Sequence, residues 1–93
     1  MDEVQAHVIF SGRVQGVFFR SFTEETARGL GLKGWVRNLF EGSVEAVFEG
    51  DRDTIREAIS KCSKGPPDAY VDNVDTSWGK ARGEFNSFST RYY

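Results

Sequence analysis

Ninety-three residues with 39% hydrophobic content, eight Phe, two Trp and three Tyr suit one folded domain, residues 1–93, with a single core. The net charge of −2 argues against a general polyanion binder, so no nucleic-acid partner is expected, although a small anion needs only a local positive site. No apolar run approaches the roughly 18–20 residues of a membrane span, no signal-peptide pattern opens the chain, and the lone Cys62 excludes an intrachain disulfide; a cytoplasmic monomer without membrane attachment is the expectation.

In chain order, Gln5 to Ser11 alternate, with Ala6, Val8 and Phe10 on one face and His7 and Ile9 on the other, which predicts a first strand. The next stretch, Gly12-Arg13-Val14-Gln15-Gly16-Val17-Phe18-Phe19-Arg20, has two glycines, no acidic residue and an arginine at its far end. A loop of that kind feeding a helix points several main-chain amides at one spot and can cradle an anion. Arg20 adds a planar fork matched to two phosphate oxygens. The residues read as a phosphate-binding loop.

A helix is expected over Phe19 to Leu30, with Phe19, Phe22, Thr26, Ala27 and Leu30 sharing a face. Ser21 and Glu24 have capping-box spacing, Glu24 and Glu25 suit the positive end of a first turn, and Gly29 and Gly31 end the helix. Trp35 to Leu39 and Val44 to Phe48 read as strands joined by a hairpin turn at Glu41-Gly42. Asp51 is a good N-cap for a second helix in which Ile55, Ala58, Ile59 and Cys62 form the buried stripe. Lys61, Lys64, Gly65 and Pro66-Pro67 close it. Tyr70 to Trp78 and Phe85 to Tyr92 read as further strands across a turn region at Gly79 to Gly83.

That order, β-α-β-β-α-β plus a terminal strand, is the split βαβ or ferredoxin-like plan: an α+β sandwich with an antiparallel sheet and both helices packed on one face. In this plan the third strand lies between the first and second, which therefore run parallel. Their C-terminal ends emerge on one edge of the sheet. The loop ending in Arg20 thus meets the end of the second strand, which carries Arg37 and Asn38.

The missing parts narrow the chemistry. No pair of His, Cys, Asp or Glu has metal-ligand spacing, and no Walker A or dinucleotide fingerprint follows the loop, so neither metal nor cofactor is expected. No Ser or Cys has a histidine partner for triad chemistry. An amide cradle, Arg20 and Asn38 can bind a phosphoryl group and hold a water in line with it, but offer no strong base or acid. A phosphate ester expels a basic alkoxide and usually needs metal or acid help. A mixed carboxylic–phosphoric anhydride expels a carboxylate whose conjugate acid has a pKa of about 4, so orientation and charge stabilisation suffice.

The runs Phe10 to Arg20 and Gly34-Trp35-Val36-Arg37-Asn38-Leu39-Phe40-Glu41-Gly42-Ser43-Val44-Glu45, followed by Gly50, resemble the two acylphosphatase signatures. The closing Phe88-Ser89-Thr90-Arg91-Tyr92 is similar as well, so the likeness spans nearly the whole chain. The resemblance implies hydrolysis of small acyl phosphates without metal or covalent phosphoenzyme. It also implies that Arg20 and the amides of Val14, Gln15, Gly16, Val17, Phe18, Phe19 and Arg20 bind the phosphate while Asn38 orients the attacking water. Ser43 stands where many members have threonine, a change that keeps the hydroxyl. The residue before Phe19 varies in the family, so Phe18 is read as unremarkable.

Plainer readings accompany each residue. Gly12 and Gly16 serve as turn glycines, at least one with positive φ; the Gln15 and Arg13 side chains are structural or solvated; Arg37 is a salt-bridging surface residue. His7 is a strand-face residue, Cys62 is inert in the core, and Trp35 packs. Two other functions stay open: a phosphate- or carbamoyl-phosphate-binding module without turnover, and a ferredoxin-like RNA binder, which lacks the expected aromatic strand motif.

Overall fold

Alternation along the first strand sets the sheet. Ala6, Val8 and Phe10 are fully buried on one face, and their cross-strand partners Phe48, Ala46 and Val44 are equally buried. A computed structural model describes residues 3–92. Its elements are β1 (Glu3–Arg13), α1 (Phe19–Gly29), β2 (Lys33–Asn38), β3 (Val44–Asp51), α2 (Arg52–Lys64), β4 (Tyr70–Lys80) and β5 (Phe88–Arg91). The sheet order is β4-β1-β3-β2-β5. This is the ferredoxin-like α+β plan, with β3 between β1 and β2.

Both helices cover the same face. Phe19 and Ala27 from α1 and Ile55, Ala58 and Cys62 from α2 join Val8, Phe10, Val36, Phe48 and Phe88 in one core. Phe10 meets Phe19 edge-on at 5.2 Å, and Phe48 stacks on Phe88 at 5.4 Å. α2 starts as its sequence requires: the Asp51 carboxylate accepts from the Asp53 and Thr54 amides at 3.1 and 3.3 Å. Burial raises the Cys62 thiol to about 11, so the sulfur is an inert core group.

The last strand departs from expectation. β5 lies beside β2 and runs parallel to it, so the sheet is mixed rather than wholly antiparallel. β4 and β5 occupy opposite edges, and no tight turn at Gly79 to Gly83 can join them. The connection instead crosses the open face of the sheet. Buried Glu49, on the central strand, anchors that crossing: its carboxylate accepts from the Arg82 and Gly83 amides at 2.8 and 3.3 Å and from Gln5 Nε2 at 2.7 Å. The expected strand from Phe85 is shortened to Phe88–Arg91.

The same open face carries a second polar cluster. Glu45 accepts from Arg37 Nε at 2.6 Å and bonds His7 Nε2 at 2.6 Å, so His7 has a partner after all. Trp35 lies on this face too, between the Arg37 and Arg91 guanidinium groups at 5.4 and 4.7 Å, rather than in the core beside the loop. Burial pushes the Glu45 carboxyl up, but the bonds from His7 and Arg37 outweigh it and hold the group below its ordinary 4.5. A carboxyl lowered on folding contributes stability that is complete above its unfolded value and lost as pH falls through its folded value. Denaturant titrations should therefore find Glu45→Gln less stable than the parent at neutral pH, with the gap closing below about pH 4.5. A gap that stays constant into acid would refute the assignment.

Candidate active site

β1 leaves the sheet through an irregularity. Its register against β4 shifts between Ser11 and Gly12, where Gly12 adopts φ 123° and a Cβ would lie 2.2 Å from the Tyr70 carbonyl oxygen. Only glycine fits there. Gly16 turns the loop at φ 74°, and Phe18 follows in the left-handed region at φ 63°, ψ 22°. For a phenylalanine that conformation costs on the order of 1–2 kcal/mol. Phe18 is thus a strained residue and not an ordinary loop position.

The loop delivers α1 without a side-chain cap. The Phe18 carbonyl accepts from the Phe22 amide at 3.0 Å, yet among the described residues no amide from Gln15 to Arg20 donates a hydrogen bond. The expected capping box does not form. Ser21 lies within the first turn and lines the cavity described below, while Glu24 accepts from Thr90 Oγ1 on β5 and pairs with Arg28 at 3.2 Å. The first turn holds no acidic residue. Uncapped amides and an uncompensated helix dipole leave a positive spot at this end.

Three strand ends converge on it. Phe10 and Asn38 both pair with Val44, from opposite sides, which sets them two strand spacings or about 10 Å apart. The Gln15 side chain closes that gap, donating to the Leu39 and Ser43 carbonyls at 2.7 and 2.8 Å and so tying the loop to the hairpin. β5, parallel to β2, brings Arg91 and Tyr92 to the same edge. Arg20 Nη1 donates to the Arg91 carbonyl at 3.5 Å, and its guanidinium lies 4.8 Å over the Tyr92 ring.

A cavity of about 260 Å³ results, lined by Val14, Gly16, Phe18, Phe19, Arg20, Ser21 and Asn38. Asn38 Oδ1 is buried without a hydrogen-bond partner. A buried acceptor left unmet costs roughly 1–3 kcal/mol, which marks Asn38 as a residue whose hydrogen bonding the protein itself does not complete. Among the described residues no three His, Cys, Asp or Glu side chains are grouped to hold a metal ion.

Of the residues named from sequence, Arg20, Asn38, Val14, Gly16, Phe18 and Phe19 share this cavity. Gln15 and Val17 do not line it. The Gln15 side chain is spent on the clamp, and Val17 packs against the core. Sequence reasoning missed Ser21 and the part played by Arg91 and Tyr92. For the latter the one available signal was the closing run Phe88–Tyr92.

The family model described as Acylphosphatase matches residues 6–90. A protein named Acylphosphatase from Roseiflexus sp. (strain RS-1) is 52% identical over 89 residues, covering 96% of this chain and 96% of its own. Another of that name, from Pelotomaculum thermopropionicum, is 47% identical over 92 residues, covering 99% of this chain and all of its own. The crystal structure of acylphosphatase from Bacillus subtilis superposes with a TM-score of 0.92 at 31% identity, over 96% of this chain and 99% of that one.

Proposed function

The chain belongs to the acylphosphatase family, and on that premise we propose how it splits small acyl phosphates into carboxylate and inorganic phosphate. It is an acylphosphatase, and its partner is a small-molecule acyl phosphate. In this reading the phosphoryl group sits in the cavity against main-chain amides of the Val14–Arg20 loop, with Arg20 clamping two of its oxygens. Support is strongest for Val14, Gly16, Phe18, Phe19 and Arg20, which line the cavity. Gln15 serves chiefly through its clamp and Val17 through packing.

A water donates a hydrogen bond to Asn38 Oδ1 and so presents a lone pair to phosphorus. It attacks in line, the bond from phosphorus to the carboxylate oxygen breaks, and the carboxylate leaves with the electron pair. The water's surplus proton ends on the phosphate product or in solvent. Negative charge spread over the three equatorial oxygens is met by Arg20 and the unpaired amides, which are fixed before reaction begins. No group protonates the leaving oxygen, and a carboxylate needs none. This is the basis for proposing hydrolysis without metal, cofactor or phosphoenzyme.

The observation that carries the reading is that Asn38, whose buried Oδ1 has no hydrogen-bond partner, lines the same cavity as Arg20. The alternative of a carbamoyl-phosphate-binding module without turnover is not favoured, because full-length relatives carry the enzyme's name. Residues 1–93 are taken as a single acylphosphatase-like domain, acting as a cytoplasmic monomer with no nucleic-acid or membrane partner. The one sheet and the lone buried Cys62 support this. No helix among the described residues is long and apolar enough to cross a membrane.

The test is a hydrolysis assay in excess chelator comparing benzoyl phosphate with an aryl phosphate ester. Rapid turnover of the first and little of the second is expected; equal rates would overturn the leaving-group argument. Arg20→Lys should lose about 10²–10³ in kcat/KM, because one ammonium cannot reproduce a planar fork. Asn38→Ala should lower kcat by a similar factor with a much smaller change in inhibition by inorganic phosphate. Full turnover in Asn38→Ala would end the water-positioning role.

A further inference from the structure

The phosphoryl pocket accounts for one half of the substrate, and the acyl half must lie outside it. We infer that Phe18 recognises the acyl group and biases the enzyme toward acyl phosphates with an aromatic or bulky apolar acyl side. The inference rests on the site reading given above. In-line displacement sets the attacking water and the leaving carboxylate on opposite sides of phosphorus. With water at Asn38, the acyl group points away from the end of β2. Of the remaining lining residues, Val14 and Phe19 are almost fully buried, and Arg20 and Ser21 offer polar heads. Phe18 alone presents an apolar ring to solvent at the cavity, with 80% of its surface exposed.

Two unfavourable features coincide at this residue. A phenyl group is left in water, and its backbone is held at φ 63°, where glycine or asparagine would sit with less strain. Neither the turn nor the helix start needs a ring, and the ring adds nothing to the core. Its position next to the anion cradle gives it a use: a second ring or alkyl chain attached to the bound phosphoryl can stack on it and leave water. Tyr92, also 80% exposed, is already engaged by the Arg20 guanidinium. Phe40 is fully exposed on the β2–β3 hairpin but does not line the cavity.

The experiment measures kcat/KM for benzoyl phosphate and acetyl phosphate in the parent protein and in Phe18→Gly, Phe18→Tyr and Phe40→Ala. Glycine accepts the left-handed backbone and brings no acceptor to cap α1, so the ring is lost while the amides stay open. The benzoyl-to-acetyl ratio should fall about two- to ten-fold in Phe18→Gly, mainly through KM for benzoyl phosphate, the size of one aromatic contact. It should return in Phe18→Tyr and stay at the parent value in Phe40→Ala. An unchanged ratio in Phe18→Gly, or a shift found in Phe40→Ala instead, overturns the inference. A parent protein that hydrolyses neither substrate overturns the underlying site reading as well, a result distinguishable from the other two.

Discussion

Everything at the site depends on main-chain amides that the fold leaves unspent. A helix start normally passes its first N–H groups to a side-chain cap, and Asp51 shows this chain doing so at α2. At α1 the cap residue is Phe18, which has no acceptor to offer, and the first turn holds no carboxylate. The contrast between the two helices is therefore chemical. A serine or aspartate at position 18 would occupy an amide that the proposed mechanism reserves for the phosphoryl group, and a carboxylate would also repel it. The missing cap lowers the stability of α1 and, in the same stroke, leaves open the amides that the proposed mechanism gives to the phosphoryl group.

That arrangement survives because neighbouring elements restrain it. Gln15 ties the loop to the hairpin through two carbonyls, so Asn38 and the amides keep a fixed separation. On the other side, β5 is bound to α1 by Thr90 to Glu24 and by Arg28 Nε to the Phe88 carbonyl at 2.9 Å. Those bonds hold the strand whose end contacts Arg20. Arginine on a first helical turn is unfavourable to the helix dipole; contact with a carbonyl and a ring compensates by giving the guanidinium partners other than the substrate. Positioned groups of this kind need not reorganise during reaction, which is where electrostatic catalysis gains its advantage over water.

Much of this was legible in the chain, for identifiable reasons. Alternation at Ala6, Val8 and Phe10 fixed which face of β1 is buried, and the strand and helix order implied that β1 and β2 end on one edge. From those two facts alone Arg20 and Asn38 come together. What was illegible depended on long-range placement. Ser21 and Glu24 satisfy a local capping pattern, but a distant partner, Thr90, takes the carboxylate. Gly79 to Gly83 reads as a turn region, yet the strands it separates lie at opposite sheet edges. The strain at Phe18 could not be read at all, because phenylalanine carries no sequence signal for positive φ.

The division of labour between backbone and side chain has a consequence for how such a site tolerates change. Main-chain amides are present whatever residue occupies the position, so the loop can vary at Val17, and at Phe18 among residues that do not cap the helix, and still offer those amides to an anion if its φ angles hold. The two side chains that the proposed mechanism sets against the reacting group have no such latitude. Arg20 needs its fork, and Asn38 must be both neutral and an acceptor: aspartate there would set a negative charge beside the phosphoryl oxygens, and leucine would offer the water nothing. On the proposed mechanism, chemistry therefore constrains Arg20 and Asn38, geometry alone demands glycine at Gly12, and neither dictates a ring at Phe18.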